Sequence, residues 1–516
     1  MRTDFDVVVI GGGINGAGIA RDLAGRGLSV LLCEQHDLAS HTSSASTKLI
    51  HGGLRYLEHF EFGLVRKALQ EREVLLCNAP HIMWPLRFVM PHDRGMRPSW
   101  MIRLGLFLYD HLAKRNVLPA SRSIHLQRHP AGEALKPVFT KGFEYSDGWV
   151  DDARLVVLNV LDAHERGATI MTQTACIDAT RAKDHWAVTL QASLAASQTH
   201  GTAAIPLTIK ARALVNAAGP WAAKFLQSQA HRADTRSLRL VKGSHLVVKK
   251  LFTHDFAYIF QNTDRRITFA IPYETDFTLI GTTDVNHQGE IGTVAMDEAE
   301  CAYICEQVGR YFCQAITPAD VIWSYSGVRP LLDDASGNPS AVTRDYRLDL
   351  DTELAPLLSV WGGKITTYRK LAEQASGMLA PTLSNQAPAW TDKAPLPGGD
   401  LGPGATLSQH PAQDFDNFVV ASRSRYGWLP PDLCLRYARA YGTRLDALLR
   451  GANCMTDLGA LIAPQLYERE LQYLVKHEWA RQSDDVLWRR TKLGLHMTPS
   501  ERQAVEQWFK DKGVRE

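Results

Sequence analysis

Three glycines spaced Gly11-x-Gly13-x-x-Gly16 stand directly after the apolar run Val7-Val8-Val9-Ile10. Gly11 permits a tight turn off a strand, Gly13 lets the backbone come close to a pyrophosphate, and Gly16 lets a helix pack on the strand. The N-terminus of that helix attracts phosphate charge. Glu34 closes the next apolar run, where a carboxylate can accept hydrogen bonds from a ribose. In this strand–turn–helix–strand–acid context the pattern points to a dinucleotide. It does not separate NAD from FAD.

Residues 42–57 read Thr-Ser-Ser-Ala-Ser-Thr-Lys-Leu-Ile-His-Gly-Gly-Leu-Arg-Tyr-Leu. Small hydroxyl residues and two glycines allow close backbone approach to a large planar ligand, and the hydroxyls supply hydrogen bonds. Further on, Gly362-Gly363-Lys364 looks like the end of a nucleotide-phosphate loop, but such a loop needs a glycine at 358, which is Leu. The turn instead suits contact with a flavin ring, where backbone amides or a lysine stabilise charge on the reduced ring.

These segments resemble the FAD-dependent glycerol-3-phosphate dehydrogenases, within the wider family that includes D-amino-acid and sarcosine oxidases. The resemblance continues through Gly142-Phe-Glu-Tyr-Ser-Asp147, Trp149-Val-Asp151-Asp152-Ala-Arg154, Asn216-Ala-Ala-Gly219-Pro220-Trp221, Lys242-Gly-Ser-His245, Gly281-Thr-Thr-Asp284, Ser326-Gly-Val-Arg329-Pro330, Gly362 to Lys370, His477-Glu-Trp479 and Trp488-Arg-Arg490-Thr-Lys492. It covers nearly the whole chain. It implies FAD held by Gly11, Gly13, Gly16, Glu34, Thr42, Ser43, Ser44, Ser46, Lys48, His51, Gly52, Gly219, Gly363, Lys364, Ile365 and Thr366. The reaction implied is oxidation of sn-glycerol 3-phosphate to dihydroxyacetone phosphate, by hydride transfer from C2 to flavin. The resemblance also implies a ubiquinone or menaquinone acceptor, peripheral association with the inner face of the cytoplasmic membrane, and a fit to a homodimer.

A substrate phosphate needs cationic, preferably planar donors, and arginine binds it bidentately. Arg55 and Arg329, each beside glycines in a motif of the family, are the first candidates, with Arg344 third and Tyr56 as a hydroxyl donor. The catalytic set is completed by Lys364 and by a base. Histidine is the usual base near neutral pH, and His245 in Lys-Gly-Ser-His is the candidate among 19 histidines. An amine or amino-acid oxidase of the same fold is the alternative; it needs a carboxylate-binding arginine and no phosphate site.

The elements around these residues follow from apolar patterning. Val7 to Ile10 reads as a buried parallel strand, Ile14 to Arg26 as a helix, and Leu28 to Cys33 as a second strand. Strand patterns recur at Ala168 to Cys176, His185 to Gln191 and Leu207 to Lys210, at Leu214 to Gly219 as a strand running into a glycine turn, and later at Ser244 to Val248 and Phe277 to Ile280. Proline and glycine crowd residues 395–404, which read as a linker before a helix-rich region. The expected class is α/β: an FAD-binding Rossmann-like domain of the D-amino-acid-oxidase type (1–85, 150–225 and 345–390), a sheet-based substrate or cap domain (86–149 and 226–344), and a helical C-terminal domain (391–516).

Composition bounds the rest. The chain has 516 residues, 45% hydrophobic and 22% charged, enough for several domains. A net charge of +2 gives no footing for a nucleic-acid partner. Eight cysteines without a Cys-x-x-Cys pair read as reduced thiols in the cytoplasm, and Cys301 and Cys305 lack the histidines of a zinc set, so no metal is expected. No stretch has the length of a membrane span, and the start lacks the charge pattern of a signal peptide. Between Arg97 and Arg115, Trp100, Leu104, Phe107, Leu108 and Leu112 fall at helical spacing among basic residues. Such a helix either lies in a lipid headgroup region or packs on a core.

Overall fold

The glycine loop sits at the C-terminal ends of the parallel strands of a mixed sheet. A computed structural model describes residues 2–93, 96–193, 205–233, 235–262, 264, 266–292, 294–332 and 345–513. Strand β1 (Asp4–Ile10), helix α1 (Ile14–Gly25) and strand β2 (Val30–Cys33) form the first β-α-β unit. From Val7 the side chains of β1 alternate across the sheet: Val7 and Val9 face the helices, while Val8 and Ile10 face the other side. Both faces are buried, which explains the unbroken valine run.

Around β1 the strand order is Arg347–Asp351, Leu357–Trp361, Leu207–Asn216, β1, β2, Thr169–Met171. The hairpin Thr174–Arg181 and Trp186–Ala192 joins along Leu207–Asn216. The run expected at 207–210 and the strand part of the run expected at 214–219 are thus one strand, Leu207–Asn216. Helices α1, Asp152–Glu165 and Tyr368–Leu379 cover one face.

A second sheet runs Val285–Asn286, Leu238–Lys249, Phe277–Gly281, Ile267–Tyr273, Ala257–Gln261, Met83–His92, Lys141–Val150, Leu49–Ile50, with Val321–Leu332 paired along Leu238–Lys249 and Arg122–His125 along Lys141–Val150. It takes in Leu49–Ile50 and the beginning of Met83–His92, both of which fall within residues 1–85, expected as part of the FAD-binding unit. Helices Phe62–Asn78 and Ser99–His111 pack on one face and Glu298–Gly309 on the other. Cys301 and Cys305 are buried on that last helix beside Ile304 and Val308, as core residues.

Residues from Pro411 onward form helices around Leu433, Tyr437, Leu471, Leu474, Val505 and Phe509. The proline-glycine segment before them is not a free tether. Leu396 N–H donates to Asn78 O at 2.9 Å, and a Cβ at Gly399 would lie 2.2 Å from the same oxygen, so the strap is pressed onto the first unit. Buried ion pairs finish the attachment. The guanidinium of Arg490 donates through both terminal nitrogens to Asp37 at 2.7 and 2.8 Å, and Arg489 Nε donates to Asp37 at 2.5 Å. Arg154 pairs with Glu478. Trp488 stacks on Trp323 of the second sheet, ring centres 4.7 Å apart. Among the described residues, no helix is long and apolar enough to cross a membrane.

Candidate active site

A cavity of about 490 Å3 runs from the glycine loop to the strand Val321–Leu332. Gly11 has φ +110°, and a Cβ there would lie 2.6 Å from Ala217 O. A Cβ at Gly16 would lie 1.9 Å from Gly11 O, so Gly16 serves the packing of α1 on the loop and lies off the cavity wall. Glu34 accepts from Gly12 N–H at 2.7 Å and His36 N–H at 2.9 Å. Burial pushes its carboxyl above the ordinary value, against those hydrogen bonds.

At the other end, Gly362 and Gly363 have φ of +72° and +109°. Asn15 at the start of α1 donates through Nδ2 to Gly362 O at 3.1 Å and ties the two glycine turns together. Asn15 Oδ1 and Ser40 Oγ, on residues that line the cavity, are buried without a hydrogen bond to the protein. Glycines whose Cβ atoms would clash, two orphaned polar atoms and a helix N-terminus fit an extended dinucleotide across the cavity.

Of the residues singled out in the sequence, Gly11, Gly13, Glu34, Thr42, Ser43, Ser46, His51, Tyr56, Gly219, Arg329, Gly363, Lys364, Ile365 and Thr366 line this cavity. Ser44, Lys48, Gly52, Arg55 and His245 do not. Arg344 lies outside the described residues. Each displaced residue has a physical reason. Lys48, buried at φ +59°, donates to Asp152 at 2.7 Å and to Ser44 O at 3.0 Å, pinning the loop from behind. Burial lowers the Lys48 ammonium below its ordinary value, with Asp152 opposing. Gly52 N–H donates to Tyr109 Oη at 2.8 Å, and a Cβ there would lie 2.5 Å from Leu69. Ser44 Oγ turns back to His41 O. Arg55 faces a separate cavity of about 460 Å3, shared with Arg97, Arg266 and Arg310.

The strands Leu238–Lys249 and Val321–Leu332 set the remaining groups through their register: Gly243 faces Gly327 and His245 faces Tyr325. Room at Gly243 admits the Arg329 guanidinium, since a Cβ there would lie 2.3 Å from Nη2. Arg329 pairs with Asp284 and donates through Nη2 to Thr282 Oγ1 at 2.9 Å. Lys364 Nζ sits 3.9 Å from the Tyr56 ring centre. His245 is fully buried, stacked on Tyr325, with Nε2 2.9 Å from Thr47 Oγ1. Burial, then the charges of Arg329 and Lys48, hold its imidazole well below the ordinary value.

Sequence reasoning passed over Asn15, Ser40, Thr47, Thr282 and Asp284. Thr47, Thr282 and Asp284 lay inside motifs already noted, but pairing across the fold gives them their roles. Asn15 had a signal in its position inside the glycine loop.

The model of the FAD dependent oxidoreductase family matches residues 6–369, and that of the C-terminal domain of alpha-glycerophosphate oxidase matches residues 389–510. The chain belongs to the FAD-dependent glycerol-3-phosphate dehydrogenase family. It is 54% identical to a glycerol-3-phosphate dehydrogenase of Pseudomonas aeruginosa, over 98% of this chain and 95% of that one. It is 50% identical to a D-erythritol 1-phosphate dehydrogenase of Brucella abortus, over 98% and 97%. The solved structure of a Bacillus halodurans glycerol-3-phosphate dehydrogenase complexed with FAD superposes with a TM-score of 0.78 at 28% identity, covering 99% of this chain and 90% of that one. The protein is an FAD-dependent oxidoreductase of α/β class.

Proposed function

We propose that the protein oxidises the secondary alcohol of a phosphorylated polyol, sn-glycerol 3-phosphate foremost, to dihydroxyacetone phosphate. FAD, when bound, supplies the hydride acceptor. Arg329 and Lys364, two cations that line the cavity, carry the reading. A phosphate dianion needs at least two such donors, and Asp284 and Thr282 hold the Arg329 fork in orientation. Tyr56, under the Lys364 ammonium, completes the pocket. His245 takes the hydroxyl proton.

The test is anaerobic bleaching of the bound flavin. Glycerol 3-phosphate bleaches it; glycerol, lactate and amino acids do not. Bleaching by an amino acid and by no polyol phosphate would overturn the reading in favour of an amino-acid oxidase. A four-carbon substrate is the second reading, supported by the D-erythritol 1-phosphate dehydrogenase among the relatives. The ratio of bleaching rates with the two phosphates decides between them.

The electrons pass on to a quinone at a membrane surface. The helix Ser99–His111 supports this: its inner face buries Ile102, Leu106 and Tyr109, while Trp100, Leu104 and Phe107 are 66%, 51% and 51% exposed on its outer face. Phe60, 79% exposed, stands on the turn after Leu54–His59, which packs against the helix. The outer apolar stripe with Arg97 and Arg103 beside it suits an anionic headgroup layer. The triple substitution W100E/L104E/F107E should release the protein from liposomes containing phosphatidylglycerol while flavin bleaching persists. Unchanged sedimentation with liposomes would refute the assignment.

A further inference from the structure

The geometry points to Thr47 as the relay that carries the substrate's hydroxyl proton from the cavity to His245. This deepens the proposed alcohol oxidation and rests on it. His245 is fully buried and does not line the cavity. A Cβ at Gly281 would lie 2.3 Å from its Cδ2, so backbone closes one side of the ring. The Tyr325 ring closes the opposite face, stacked at 4.9 Å and 15°. Tyr325 is itself held, donating its hydroxyl to Ser46 O at 2.8 Å. Nδ1 is buried without a hydrogen-bond partner. Nε2 meets Thr47 Oγ1 at 2.9 Å. Thr47 lines the cavity and His245 does not. The threonine hydroxyl is therefore the contact between the imidazole and the substrate space.

A hydroxyl suits the task because it accepts one hydrogen bond while donating another. FAD, when bound, would accept two electrons from the carbinol carbon as hydride while the substrate O–H bond breaks. That proton goes to Thr47 Oγ1, the proton of Thr47 goes to His245 Nε2, and the carbinol oxygen becomes a carbonyl. His245 ends as the imidazolium, and the net charge of the site is conserved. The phosphate reinforces the step: paired with Arg329, it offsets a cation that otherwise disfavours protonated His245. Without the relay, a buried imidazole could not reach a substrate hydroxyl within hydrogen-bond distance.

The experiment is stopped-flow reduction of the FAD-loaded enzyme by glycerol 3-phosphate, without oxygen, in H2O and D2O mixtures. Variants are Thr47→Val, Thr47→Ser and His245→Asn, each checked for bound flavin by its visible absorbance. Thr47→Val should slow flavin reduction by about 100-fold to 10,000-fold, the range general acid–base groups contribute. Thr47→Ser should recover to within about tenfold of wild type, since it restores the hydroxyl. Wild type should show a curved proton inventory, with two protons in motion, and Thr47→Val a linear one. The double variant T47V/H245N should be no slower than the slower single one, because both remove the same relay. A Thr47→Val enzyme within threefold of wild type, or a Thr47→Ser enzyme as slow as Thr47→Val, overturns the relay while leaving the proposed reaction standing. A wild-type flavin that no polyol phosphate reduces overturns both.

Discussion

Asp37 to Asn replaces one oxygen by an amide in a place where the fold depends on charge. In the native protein the Asp37 carboxylate takes three hydrogen bonds from Arg489 and Arg490, and the Asp37 and Arg490 side chains are at most 1% exposed. Burial pushes the Asp37 carboxyl up, but the charges and hydrogen bonds of Arg490 and Arg489 outweigh it and hold the group below its ordinary value. Removing one partner of a buried pair leaves an uncompensated charge, which costs about 3–5 kcal/mol. Arg489 keeps Asp485 at 2.5 Å, so Arg490 carries most of the loss. Asp37 also lies between Glu34 and the 42–47 loop, both on the cavity wall. FAD affinity should therefore fall at least about tenfold, equivalent to about 1.4 kcal/mol. Urea unfolding of the FAD-free protein followed by tryptophan fluorescence reads the stability, and flavin fluorescence titration reads the affinity. The double variant D37L/R490M, which removes both charges, should regain most of the stability, since apolar replacement of a buried pair is close to neutral. A D37N protein within 1 kcal/mol of wild type, by the scale above, would refute the reasoning.

Three further outcomes follow from the site and its surroundings. Gly16→Ala should yield protein without flavin, because its Cβ would need the space 1.9 Å from Gly11 O; the ratio of visible to ultraviolet absorbance checks it. Arg329→Lys keeps the charge and loses the fork, so KM for glycerol 3-phosphate should rise about 10-fold to 100-fold, the worth of a charged hydrogen bond, with less change in kcat. Glu274 is raised from 4.5 to about 7, by burial first and then by Asp151. The unfolded chain ionises before the folded one, so wild-type stability falls as pH rises from about 4.5 to about 7 and stays lower above it. The shift is worth about 3 kcal/mol at most, about 1–2 after solvent screening, so Glu274→Gln should be more stable than wild type at pH 8 and equal to it below pH 5, by urea midpoint.

The first β-α-β unit was legible because its signals are local: a valine run, glycines at fixed spacing and an acid after the next strand. The flavin end was legible as a set of motifs and not as an arrangement. Lys48 shows the limit. Its place in a hydroxyl-rich run suggests a ligand contact, but its positive φ turns the ammonium inward to Asp152, 104 residues away. Arg55 and Tyr56 are neighbours in sequence, yet they face different cavities. His245 and Tyr325 stack because two strands pair in one register, which no single-strand pattern encodes. The Trp488-Arg489-Arg490 motif was visible, but its partners Trp323 and Asp37 belong to two other parts of the chain.

The bond from Asn15 to Gly362 spans 347 residues. One wall of the cavity is thus made when the first glycine loop emerges and another only after Thr366 has left the ribosome. The first glycine loop must wait, folded or guarded, through the synthesis of the entire second sheet before it can close on a flavin. Cofactor capture is therefore a late event in the life of this chain, and its folding intermediates are apoprotein by construction. Supply of FAD during expression acts after the second sheet has been made, where it locks the two turns together rather than guiding the earliest steps.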